Sequence, residues 1–295
     1  MRGHGLKTIE YLFDPAFAPL FWPGTAAALL VALLCAPLSP FVVLKKMAFI
    51  GQGVSHAAFG GVGLVLYFSA LAGSGGWGWW QQFAVLVFAA GAGLWISLLG
   101  RRRGTDTAIG IVMAVCMAAG FELYRLAAGI ALRDSRVPNP PEIEELLFGS
   151  VLDVTEWGAI GTGVAAVVVL FTLWWIRRPL VAWAFDEATA GSLGINGERV
   201  RSLLLLMLAL AVVTTMQIAG VVLATAMLVL PGVIGLAIGR TLRGAVVWSV
   251  LAGLAGVFVG LVVTFEFGVQ PGPSVVLVLA VLMMGSRLLG RRESL

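Results

Sequence analysis

Long apolar runs recur along this chain, and nothing else constrains its fold as strongly. Segments at about 20–44, 48–72, 80–100, 106–128, 157–176, 200–217, 219–239, 244–265 and 274–289 are nearly free of charge. A helix that crosses a bilayer needs roughly 20 mostly apolar residues to span a hydrocarbon core about 30 Å thick. A membrane barrel shows alternating segments of roughly 10 residues instead, and none are visible. Composition agrees: 12% of the 295 residues are charged and the mean hydropathy is +1.00, against about 25% charged in a soluble domain. The expectation is an all-α, polytopic bundle of eight or nine spans, forming a single transmembrane domain over residues 1–295. The count hinges on the stretch from Arg199 to Arg240, which must cross twice and turn near Gln217 to Gly220.

Charge placement orients the bundle. If Lys45 and Lys46 face the cytoplasm, alternation puts Arg101, Arg102, Arg103, Arg177, Arg178, Arg199, Arg201, Arg240, Arg243, Arg287, Arg291 and Arg292 on the same side. That is 14 of the 19 Lys and Arg, leaving Arg2, Lys7, Arg125, Arg133 and Arg136. So lopsided a split follows the positive-inside rule. It assigns the net charge of +4 to anionic lipid headgroups rather than to nucleic acid. Trp22, Trp77, Trp79, Trp80 and Trp157 gather at the opposite ends, as an interfacial aromatic belt does. The polar opening MRGHGLKTIEYLFDP has no apolar h-region, so no cleaved signal is expected. Cys35 and Cys116 fall inside spans with no metal-ligand or disulfide spacing and read as buried free thiols. No phosphate loop, dinucleotide fingerprint or Ser/His/Asp set is present, so no enzymatic activity and no bound cofactor are expected.

One span carries chemistry. In MAFIGQGVSHAAFGG (Met47–Gly61), His56 lies ten residues beyond Lys46, or roughly 15 Å along a helix, which is near the bilayer midplane. Gln52 at i−4 shares its face, and Gly60 at i+4 leaves a gap where a helix or a substrate could approach. Polar groups at that depth are costly and face a cavity or a partner. A structural His–Gln hydrogen bond between packed helices explains the pair equally well.

FVVLKKMAFIGQGVSHAAFGGVGL (Phe41–Leu64) resembles the second-helix signature of the membrane permease subunits of ABC importers for zinc, manganese and iron. GTDTAIGIVMAV (Gly104–Val115), LLFGSVLDVT (Leu146–Thr155), FDEATAGSLGI (Phe185–Ile195) and IAGVVLATAMLVLPG (Ile218–Gly232) resemble later motifs of that family, in order. The resemblance implies a homodimeric pore in the cytoplasmic (inner) membrane, paired with a cytoplasmic ABC ATPase subunit and an extracytoplasmic metal-binding protein. The cargo would be a divalent metal ion, with ATP used only by the partner.

Two regions follow from it. In the segment at about 186–194, Asp186 suits an N-cap, Glu187 a first turn and Gly194 a C′ stop. Ala188, Ala190 and Gly191 would let this short helix press into a groove. It is similar to the ATPase-coupling helix of ABC importers, although an interfacial connector helix also fits the residues. The outer loop at about 131–156 places Pro141, Glu142, Glu144 and Glu145 at a helix start, either as a cation-attracting rim or as a solvated face. The candidate metal-ligating residues are His56, Gln52, Glu122 and Glu266. Glu122 has Arg125 at i+3, a spacing that favours a local ion pair, and Glu266 sits at the outer end of its span. The family's motif has an aspartate at position 52. A neutral amide oxygen can coordinate a metal but does not neutralise a dication, so Glu122 or Glu266 would compensate, or the ion would be held loosely. Imidazole suits zinc and iron, whereas carboxylate also suits manganese.

Two rivals weigh against this. An ion-coupled secondary transporter using His56 as ligand or proton relay would often show an inverted repeat, and none is convincing. An intramembrane enzyme would need a second histidine or paired acids at helical spacing, and the other histidine, His4, lies in the polar opening.

Overall fold

The computed structural model describes residues 18–73, 79–135, 137–143, 149, 154 and 156–290. Twelve helices and no strand occur among the described residues: α1 Ala18–Cys35, α2 Ser39–Leu44, α3 Ala48–Leu71, α4 Trp79–Arg103, α5 Thr105–Arg133, α6 Glu156–Trp175, α7 Arg177–Phe185, α8 Glu187–Ser192, α9 Gly197–Met227, α10 Leu230–Ile238, α11 Leu242–Phe267 and α12 Pro271–Gly290. Among the described residues, seven helical stretches are long and apolar enough to cross a membrane. Two shorter apolar helices, Phe21–Cys35 and Pro271–Arg287, accompany them.

Several boundaries differ from the sequence reading, each for a backbone reason. The run at 20–44 is two helices, because Pro37 and Pro40 have no N–H to donate. The joint is pinned where the Gly232 N–H donates to Ser39 Oγ at 2.7 Å. Between Arg199 and Arg240, by contrast, the break falls where it was expected, at Gly220 (φ 75°, ψ 170°), a conformation that only glycine adopts readily. The run at 219–239 breaks again before Pro231, with Val229 at φ −121°, ψ −55°. Helix α7 was not expected; Pro179 lies in its first turn, where a missing N–H costs little.

Burial divides the bundle. In the apolar windows of Ala48–Leu71 and Gly197–Met216, 67% and 61% of residues are buried, against 22% in Gly158–Trp175. Helix α9 packs on α1, α3, α4, α6 and α12, and its Leu204 and Leu208 are fully enclosed. On α6, Val164, Val167, Phe171 and Trp175 lie exposed, as suits a lipid-facing helix. Thr162, Thr172 and Thr214 return their hydroxyls to the carbonyls four residues back, so these polar groups need no water.

The most extensive helix pair is α3 with α5. A Cβ at Gly60 would sit 2.7 Å from the Cys116 carbonyl oxygen, and one at Gly63 would overlap the Gly120 backbone. Helices in lipid gain little from apolar burial and associate through this kind of small-residue contact. Gly53 against Ile109, Gly60 against Cys116 and Gly63 against Gly120 keep one register, so α3 and α5 run parallel.

Candidate metal path and loop helix

Helix α3 leaves a tight elbow at Lys45–Met47 and carries Gln52 and His56 one turn apart. Gln52 is exposed and His56 half-buried. Below them on the same face Phe49 is 65% exposed. Above them the face closes: the gap expected beyond Gly60 is filled by α5 at Cys116 and Gly120. The open part of the stripe is therefore its lower half. His56 Nδ1 is buried with no hydrogen-bond partner. The imidazole thus does not use that nitrogen for a packing bond to Gln52 or to another helix. An unpaired buried nitrogen costs about 1–3 kcal/mol, which packing alone does not explain.

The other two candidates lie elsewhere. By the α3–α5 register Glu122 stands opposite Val65 and Leu66, about 14 Å farther along than His56 at 1.5 Å per residue. It is exposed, as is Arg125, and the ion pair that the i+3 spacing favours is not formed between them. Glu266 is half-buried in the last turn of α11 and has its own partner. Among the described residues no group of three or more His, Cys, Asp or Glu side chains could hold a metal ion. Neither carboxylate joins His56 within one chain, because each sits toward the C-terminal end of its helix.

The loop helix forms where the spacing placed it. Asp186 Oδ1 accepts the Ala188 N–H at 2.9 Å, satisfying one of the free donors at the helix start. Gly194, at φ 75°, ends it in a Schellman turn: the Ile195 N–H reaches the Ala190 carbonyl at 3.0 Å and the Gly194 N–H that of Gly191 at 3.1 Å. Ala190 is buried, while Glu187, Ala188 and Gly191 are exposed. Apart from its chain neighbours and its own helix backbone, no described atom lies within 4 Å of where a Gly191 side chain would begin. Phe185 and Leu193, each 69% exposed, flank the helix. Sequence reasoning passed over both, because an isolated apolar residue between spans carries no periodic signal.

In the loop after α5, the Tyr124 hydroxyl donates to the Pro141 carbonyl at 2.8 Å, and Val137 packs with Ala70, Ala127 and Ala131. The loop is thereby folded back on the ends of α3 and α5. Glu142 is exposed there; Glu144 and Glu145 lie outside the described residues. Trp22 and Trp80 are partly exposed, as residues of an interfacial belt are.

The family model of the ABC 3 transport family matches residues 18–290. The high-affinity zinc uptake system membrane protein ZnuB of Haemophilus influenzae is 27% identical, over 94% of this chain and 99% of that protein. The manganese transport system membrane protein MntC of Halalkalibacterium halodurans is 29% identical, over 94% and 90%. Among solved structures, PsaBC from Streptococcus pneumoniae in complex with Fab superposes with a TM-score of 0.77 at 26% identity, covering 94% of this chain and 93% of that one.

Proposed function

The chain belongs to the ABC 3 transport family, and on that premise we propose that it is the permease subunit of an importer driven by a separate ATPase, carrying zinc, manganese or iron across the cytoplasmic membrane. The observation that carries this reading is the Gln52–His56 face, an exposed amide beside a half-buried imidazole on an otherwise apolar helix. One chain supplies one nitrogen and one oxygen there. Two copies meeting across this face would supply two of each, the four donors that zinc takes. This favours the homodimeric pore. With no charged ligand the site holds a dication loosely, which suits a conduit that must release what it binds. Phe185, Leu193 and the exposed side of α8 form the surface for the ATPase, and the outer loop with Glu142 faces the metal-binding protein outside.

The test is uptake of zinc, manganese and iron by proteoliposomes containing this chain with its ATPase subunit. Uptake that requires ATP and stops on His56→Ala supports the reading. Uptake that follows a proton gradient without ATP overturns it in favour of a secondary transporter.

A further inference from the structure

Trp183, near the end of α7, touches both regions described above. Its ring is 3% exposed, and Lys45 Nζ stands 4.2 Å from the ring centroid. A Cβ at Gly197, the first residue of α9, would lie 3.0 Å from Trp183 Cδ1, 3.1 Å from Nε1 and 3.6 Å from Glu187 Oε1. The indole therefore sits under the start of α9 and beside the first residue of α8. Its N–H is buried without a hydrogen-bond partner, so packing and the lysine alone hold it.

Lys45 is not an ordinary surface lysine. It caps α2, and the next residue, Lys46, has φ 54°, a left-handed conformation that strains a residue with a Cβ. The turn is a Schellman motif: the Met47 N–H reaches the Val42 carbonyl at 2.8 Å and the Lys46 N–H that of Val43 at 3.1 Å. Met47 is buried, and α3 starts immediately after it. Whatever shifts Lys45 therefore shifts the foot of the helix that carries Gln52 and His56.

We infer that Trp183 and Lys45 form the mechanical link between the loop helix and the metal path: movement of α8 and α7 displaces the indole, and the ammonium over its face carries that displacement into the α2–α3 elbow. Strain at Lys46 lowers the barrier to re-forming the elbow, and the unpaired indole N–H leaves the ring free to slide. Trp183 and Lys45 are positioning residues and touch no metal. The inference rests on the proposed function, because it takes α8 as the surface that meets the ATPase.

The measurement is metal ions moved per ATP hydrolysed, in complexes of the full chain with its ATPase subunit, using zinc, manganese and iron separately. Lys45→Met removes the cation and keeps the apolar stem; Trp183→Leu removes the aromatic face and keeps most of the volume. Each should lower the ratio about tenfold, the scale of a desolvated cation–π contact. ATPase co-purification and ATP hydrolysis should persist. Lys45→Arg should restore the ratio, and the Lys45→Met/Trp183→Leu double variant should be no worse than either single change, as for two residues acting as one unit. If Trp183→Leu fails to fold, Lys45→Met decides alone, since its side chain is half-buried. An unchanged ratio in Lys45→Met, or additive losses in the double variant, would overturn the link. Absence of ATP-driven uptake by the wild-type complex would instead overturn the proposed function.

Discussion

The lower face of α3 and the tip of the α7–α8 loop are mismatched to their surroundings in opposite senses. At the depth of hydrocarbon, α3 leaves Gln52 exposed and His56 half-buried, although polar groups there are costly. On the side the basic residues assign to the cytoplasm, the loop leaves Phe185 and Leu193 each 69% exposed, where water disfavours them. One surface is too polar for lipid and the other too apolar for water. The proposed partners would account for each: a second copy and a passing ion for the first, a soluble ATPase for the second. The outward face of α6 makes the contrast plain. Its exposed Val164, Val167 and Phe171 match lipid and call for no partner.

The strongest challenge to this comparison is His56→Ala. With no hydrogen bond to lose at Nδ1, the variant should assemble and melt like wild type while uptake falls to background. Normal uptake per folded molecule together with a lower melting temperature would make the imidazole a packing residue. Next in size is the loop. Phe185→Ser with Leu193→Ser, or Gly191→Trp, should abolish ATPase co-purification without unfolding the permease, since the space around Gly191 is empty. Each apolar anchor should be worth about 2 kcal/mol, or roughly thirtyfold in Kd. Binding that survives both changes would place the ATPase contact elsewhere.

A smaller and sharper test is Gln52→Asp. Adding a carboxylate one turn from His56 should tighten metal binding, favour manganese over zinc relative to wild type, and slow release. Competition binding and uptake time courses read both effects. The smallest perturbation maps sides only. Single cysteines at Asp186 and Asn139 should label from the cytoplasm and from outside, respectively. Cys35 and Cys116 are buried and contribute little background. Labelling of both sites from one face would place the two mismatched surfaces on the wrong sides of the membrane.

Much of this was legible in the chain because the signals are local. Apolar length specifies spans, and Asp186 with Gly194 specifies the loop helix through hydrogen bonds to residues at most five positions away. Gln52 and His56 share a face by spacing alone. Pro37, Pro40 and Pro231 are equally local signals, yet the apolar runs continue across them, so hydropathy alone predicts unbroken helices there. Glu122 and Arg125 have the spacing of a pair and do not form one, because spacing brings side chains within reach but does not decide where they point.

What the sequence by itself determined, then, is the membrane class of the bundle, the family, and the shared helix face of the polar pair. Only the tertiary structure decided which half of the α3 stripe stays open, that Glu122 and Glu266 stand away from His56, and that Trp183 meets Lys45. The physical reason is that interhelical contact in lipid depends on shape rather than on polarity. The register set by Gly60, Gly63 and Gly120, and the indole wedged beneath Gly197, are properties of two surfaces meeting, and neither strand of sequence carries them alone.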